Sequence, residues 1–128
     1  MIAWKGTTTK RKYKSVEKNQ CIRFMYDLAL VYPKIYKCIF HIPNGEARNA
    51  ITGSILKKMG VKKGVADYFI FKPNHLKQRL WLEFKSGKGK QSLEQKEFQS
   101  MIEEIGDIYL MPTASTEALD MIKDFYKL

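Results

Sequence analysis

A chain of 128 residues with 45% hydrophobic residues can bury the core of one compact domain, and no apolar run approaches the roughly 20 residues that a membrane span needs. The basic N-terminus lacks the apolar stretch of a secretory signal, and the two cysteines, Cys21 and Cys38, have no metal-ligand spacing, so a soluble intracellular protein with reduced thiols is expected. The net charge of +10 points to a polyanionic partner, with nucleic acid the commonest.

Residues 1–14 carry five positive charges and no acid, and read as a basic N-terminal arm ahead of a single domain over 15–128. Ser15 is a candidate cap for a helix over about 16–32, where Val16, Ile22, Met25, Leu28, Ala29 and Tyr32 recur near helical spacing until Pro33. Residues 37–42 read as a strand stopped by Pro43, Asn44 and Gly45. A second helix is expected over 47–59 with Ala50, Ile51, Ile55, Leu56 and Met59 inward and Gly60 as its C-terminal stop. Residues 66–71 and 79–85 read as a strand pair around the polar turn 72–78. A basic glycine-rich loop, SGKGK at 86–90, leads to a helix from Ser92 to about 105, a strand at 107–111 and a last helix from Ser115 or Thr116 to about 126. The order is that of an α/β layered domain with a small mixed sheet flanked by helices.

Charge is unevenly spread along these elements. Residues 1–90 hold 20 of the 23 Lys and Arg and only five acids, Glu17, Asp27, Glu46, Asp67 and Glu83, whereas residues 91–128 hold three Lys and eight acids. Two of the five acids stand where an acid is costly. Asp67 begins the apolar run Tyr68–Phe71, and Glu83 lies inside Leu80–Phe84. A carboxylate there needs compensation, and a divalent cation is a strong one. Glu83 and Lys85 share a strand face because strand side chains alternate. Pairing of the two strands can bring Asp67 beside Glu83, making a hard oxygen site suited to Mg²⁺ or Mn²⁺, with Lys85 as a compact positive charge for an attacking water or a phosphate oxygen. The bland alternative is a Glu83–Lys85 ion pair on a solvated face.

Other residues have two readings each. Gln95, three after Ser92, completes a Ser-x-x-Gln capping box or else faces the active site. Glu17 is either a third acidic ligand or a first-turn Glu favoured by the helix dipole. His41 can touch phosphate, or serve structurally, and His75 reads as a loop residue. Gly64, just before Asp67, suits a close backbone approach to substrate. Arg48, Lys57, Lys58, Lys62, Lys63, Lys88 and Lys90 surround the site in sequence and are the candidate phosphate contacts, or else solvated surface. The methionines and the aromatics Phe69, Phe71, Trp81 and Phe84 are expected mostly in the core.

Four ordered blocks carry a resemblance over roughly residues 15–125: HIPNG at 41–45, GVKKGVAD at 60–67, WLEFK at 81–85 and SLEQ at 92–95. Together they resemble the VRR-NUC domain, a branch of the PD-(D/E)XK nuclease superfamily. The resemblance implies a restriction-endonuclease-like core and a metal-dependent phosphodiesterase acting on DNA. By it, Asp67 and Glu83 match the metal-binding acids, the Phe84 backbone carbonyl a further ligand, and Lys85 the catalytic lysine. Gln95 matches the polar residue that follows, and Glu17 an acid of the first helix. Stand-alone members, often viral or bacterial, resemble dimeric Holliday-junction resolvases, which implies a homodimer and branched DNA. Ala66 departs from the proline often found before the first acid. Alternatives are a nicking or linear-duplex endonuclease, or a silent nucleic-acid-binding module. No feature of the sequence names a helicase or other protein partner.

Overall fold

The computed structural model describes residues 2–43, 50–87 and 89–128, with the segment 2–15 described by its backbone alone. The first helix, α1, spans Ile2–Val31. The helix therefore does not begin near residue 16 as expected. Ser15 has Lys18, not Glu or Gln, three residues on, so no reciprocal capping box forms, and no proline precedes Pro33. Tyr32 leaves helical geometry (φ −131°) in front of Pro33, and a single further turn, α2, spans Pro33–Tyr36.

Four short strands follow, β1 (Ile39–His41), β2 (Tyr68–Ile70), β3 (Leu80–Leu82) and β4 (Ile108–Leu110), interleaved with α3 (Ala50–Lys58), α4 (Leu93–Glu104) and α5 (Ser115–Tyr126). They form one sheet in the order β1-β2-β3-β4. β1 and β2 pair antiparallel, as do β2 and β3, while β3 and β4, joined through α4, are parallel. The polar turn between β2 and β3 is closed by Asn74, whose Oδ1 accepts from the amides of Leu76 (3.0 Å) and Gln78 (2.9 Å). The α/β class and the mixed sheet flanked by helices thus stand as expected.

Strand alternation sorts side chains to two faces. Tyr68, Ile70, Leu80, Leu82 and Phe84 join Phe24 and Leu28 of α1 and Ala118 and Ile122 of α5 in the larger core. Phe24 lies 5.3 Å from Phe84 and 5.4 Å from Tyr68 between ring centroids. The opposite face carries Ala66, Trp81 and Tyr109 against Phe98 and Ile102 of α4. There Phe69 stacks on Trp81 at 4.1 Å. Asp107 is buried below β4 and accepts from the Arg79 amide (3.0 Å) and Trp81 Nε1 (3.1 Å), tying the starts of the two parallel strands together.

α5 has Ala114 at its N-cap, which offers no capping side chain. α1 supplies the acceptors instead: Gln20 Oε1 takes the Ser115 amide (2.9 Å) and Asp27 Oδ2 takes the Ser115 hydroxyl (2.8 Å). That hydroxyl, and then Arg23 of the same helix, hold the Asp27 carboxyl below its ordinary range.

Several expected core positions are at the surface. α3 has no buried residue, and Ile51 and Met59 are 75% and 76% exposed. Its apolar residues are only partly covered: Leu56 is half-buried, whereas Ile51 and Ile55 are exposed. Ile22, Phe71 and Met101 are also exposed.

Candidate active site

Beyond Leu82 the chain leaves regular strand, yet it keeps the spacing of the parallel ladder. The Glu83 amide donates to Leu110 O and the Lys85 amide to Pro112 O, both at 3.0 Å. Alternate amides thus bond the same neighbour, which puts the side chains of Glu83 and Lys85 on one face, the face of Trp81 and α4. On the other side of β3, Tyr68 pairs with Leu82, so one step further Asp67 faces Glu83. The pairing is fixed by a hydrogen bond from the Phe84 amide to Asp67 Oδ2 at 2.8 Å. The Ile42 amide in turn donates to Asp67 O at 2.7 Å, holding that strand end to β1.

The two carboxyls are electrostatically one unit. Glu83 is 4% exposed, and its Oε1 is buried without a hydrogen-bond partner among the described residues. Burial pushes its carboxyl well above the usual carboxylate range, and the neighbouring Asp67 adds to the rise through its charge and the hydrogen bond between the two carboxyls. Burial raises Asp67 as well, opposed by the Phe84 amide, the hydrogen bond with Glu83 and the charges of His41 and Lys85. Burial therefore disfavours charge on both members of the pair, which favours a shared proton between them. Two carboxylates side by side with an orphaned buried oxygen suit a divalent cation, which would replace that proton.

Lys85 is steered from two directions. Its Nζ donates to Gln95 Oε1 at 2.7 Å and to Lys90 O at 3.3 Å. Gln95 meets both readings of the sequence at once. Ser92 Oγ accepts from the Gln95 amide (3.2 Å), and Gln95 Oε1 accepts from the Ser92 amide (2.9 Å), so the capping box at the start of α4 is complete and also points the Gln carbonyl at the lysine.

Beside Lys85 an open groove of about 460 Å³ is lined by Lys85, Ser86, Lys90, Gln91, Lys96 and Thr113 among others. Lys90 matches the sequence expectation. Lys96 is an addition to it, although its place on the first turn of α4, next to Gln95, is a signal the sequence holds. Lys57, Lys58, Lys62 and Lys63 are exposed and do not line this groove. Arg48, Lys88 and the Asn44–Gly45 turn lie outside the described residues. Gly64 makes its close approach to protein: at φ +85° it backs onto α4, where a Cβ would fall 2.5 Å from the Glu94 carbonyl carbon. His41 is exposed at the end of β1 with its ring 5.2 Å from that of Tyr68, and His75 lies in the turn after β2.

Glu17 is near the site without joining the pair. Its Oε1 accepts the Ser86 amide at 3.0 Å. Among the described residues no three His, Cys, Asp or Glu side chains are placed to hold one metal ion. Asp67 and Glu83 bring two carboxyls to one place, and the charge of Glu17 adds to the rise at Glu83.

No protein-family model matches the chain, and no curated protein matches it in sequence. A solved structure described as a VRR_NUC domain protein superposes on it with a TM-score of 0.73, covering 88% of this chain and 89% of its own at 22% identity. The chain has the fold of that VRR_NUC domain protein. The VRR_NUC likeness read from the four sequence blocks is thereby borne out for the fold. Within this VRR_NUC-like fold the first block begins at the last residue of β1, the second ends at Asp67, the third runs from β3 to Lys85 and the fourth opens α4. No described helix is long and apolar enough to cross a membrane.

Proposed function

We propose that this chain is a metal-dependent endodeoxyribonuclease that hydrolyses phosphodiester bonds, with a preference for branched DNA such as a four-way junction. The observation that carries the reading is the Asp67–Glu83 pair, half-buried and buried respectively, facing across two strands and flanked by the tethered ammonium of Lys85.

In this reading Asp67, Glu83 and the Phe84 carbonyl hold Mg²⁺ or Mn²⁺, which supplies an activated water and charge neutralisation at the phosphate. Lys85 donates to the attacking water or to a phosphate oxygen, and Gln95 keeps its ammonium on that heading. The groove beside it takes the sugar-phosphate backbone on Lys90 and Lys96, and the exposed Lys57, Lys58, Lys62 and Lys63 serve flanking phosphates. A homodimer suits the substrate, since two symmetric sites match the two strands of a symmetric junction.

The test is cleavage of labelled single strand, linear duplex, flap, splayed arm and four-way junction with Mg²⁺, Mn²⁺ or EDTA, beside Asp67→Ala. Symmetric metal-dependent cutting of the junction, lost in the variant, establishes the proposal. Cutting of linear duplex in preference replaces the substrate with a nicking or duplex one. Binding with no cutting under any metal refutes the enzyme and leaves a nucleic-acid-binding module.

A further inference from the structure

β4 carries a tyrosine on the face of the sheet that carries Glu83. Tyr109 pairs with Trp81 in the parallel ladder, and both side chains belong to the core that α4 covers. The Phe98 ring of α4 lies 6.3 Å from the Tyr109 ring and 5.3 Å from that of Trp81. Glu83 stands two residues beyond Trp81 on the same alternation, with its amide bonded to Leu110 O. Met111, on the alternation of Tyr109, lines the groove beside Lys85. The phenol and the Glu83 carboxyl therefore rise from neighbouring strands on one face.

Each of the two ends in a buried polar atom with no hydrogen bond of ordinary length among the described residues, the Tyr109 hydroxyl and Glu83 Oε1. Two such orphans on one face call for an explanation, since buried polar groups are costly to leave unpaired. They are chemically complementary: a phenol donates and a carboxylate oxygen accepts. Their proximity is felt electrostatically. Burial pushes the Tyr109 hydroxyl up to about 12, the charge of Glu83 is the next cause, Gln91 opposes the rise at a longer approach, and the charge of Asp67 adds to it. The phenol is thus a lasting donor at neutral pH. Gln91 is itself engaged, its Nε2 donating to Gln99 Oε1 at 2.8 Å.

We propose that Tyr109 is a positioning residue for Glu83, its hydroxyl supplying, directly or through one water, the hydrogen bond for Glu83 Oε1 and leaving the other carboxyl oxygen to a divalent cation. The inference deepens the nuclease reading and rests on it for its consequence in metal binding and turnover. A ligating carboxylate that is held in this way is oriented before the ion arrives.

The experiment uses Tyr109→Phe, which removes the hydroxyl and keeps the ring. In metal-free protein, urea unfolding of Tyr109→Phe, Glu83→Ala and the double variant gives non-additive changes, because the second substitution finds the partner already gone. Mn²⁺ affinity by calorimetry falls about tenfold in Tyr109→Phe, and the double variant binds no more weakly than Glu83→Ala alone. On DNA at fixed Mn²⁺, kcat falls by a similar factor with KM little changed. Additive unfolding energies overturn the pairing, and so does parental Mn²⁺ affinity in Tyr109→Phe. Coupling of Tyr109→Phe to Gln91→Ala in place of Glu83→Ala overturns it as well, since it assigns the hydroxyl to the wall of the groove. Should the parent bind no Mn²⁺ and cut no DNA, the nuclease reading falls by itself, and the unfolding cycle still decides whether Tyr109 holds Glu83.

Discussion

Asp67 and Phe84 are joined by a 2.8 Å hydrogen bond that crosses from one strand end to the next. The first acid is therefore positioned by the backbone beside the second, and any motion that separates them breaks a half-buried bond. The acid pair and the sheet register are a single structural fact.

A metal-free preparation should lose stability as pH rises. The folded Glu83 carboxyl titrates above its ordinary value of 4.5 because it is buried beside Asp67. The unfolded chain gives up that proton near the ordinary value while the folded one keeps it. The folded form is thus favoured most below that value, and its advantage declines as pH climbs toward the raised folded pKa. Thermal melts across this window should show the decline, Glu83→Gln should flatten it, and saturating Mn²⁺ should oppose it by displacing the proton. A parent melting profile identical to that of Glu83→Gln would sink the prediction.

Ser92→Ala and Gln95→Ala should separate capping from lysine steering. Each removes part of the box at the start of α4 and should cost about 0.5–2 kcal/mol of stability. Only Gln95→Ala also frees Lys85 Nζ from its 2.7 Å partner. Turnover should therefore drop about tenfold or more in Gln95→Ala and stay near the parent's in Ser92→Ala, read at a temperature where both are folded.

Two glycines should respond with opposite signs. Gly64→Ala places a Cβ 2.5 Å from Glu94 backbone at φ +85°, and the backbone conformation alone costs about 1–3 kcal/mol. Gly53 stands within α3 with nothing within 4 Å of a built Cβ, so Gly53→Ala should stabilise by about 0.5–1 kcal/mol. Urea unfolding of both variants checks the pair.

Removing residues 1–14 takes away five positive charges and no negative ones. DNA affinity should fall, and the plot of log affinity against log salt should flatten by about 0.9 for each duplex phosphate that the shortened chain no longer neutralises. An unchanged slope would show that this segment touches no phosphate.

Much of the sheet and the heart of the candidate site were legible because they rest on local rules. The alternation of Leu80, Trp81, Leu82 and Glu83 sets the faces, and an acid inside an apolar run announces that something must compensate it. Gln95 was legible in both roles, since a capping box fixes where its side chain turns. What stayed hidden depends on partners remote in the chain. Glu17 meets Ser86 69 residues away, and no spacing rule shows it. Asp107 lies in the acidic segment, which averages to solvated surface, yet it is buried under the Trp81 indole. The apolar stripe of α3 shows which side would be covered, and periodicity alone does not say whether anything covers it.

The trans-capping of α5 by α1 carries a consequence for how the molecule holds together. Ser115 bonds to Asp27 and Gln20 across 88 and 95 residues of chain. The last helix has a local bond of its own, from the Thr113 amide to Glu117, and draws the rest of its start from the first helix. The two helices that cover Phe84 and its neighbours on one side of the sheet are thus tied to one another as well as to the sheet, so a change at Gln20 or Asp27 on the first helix is felt at the start of the last.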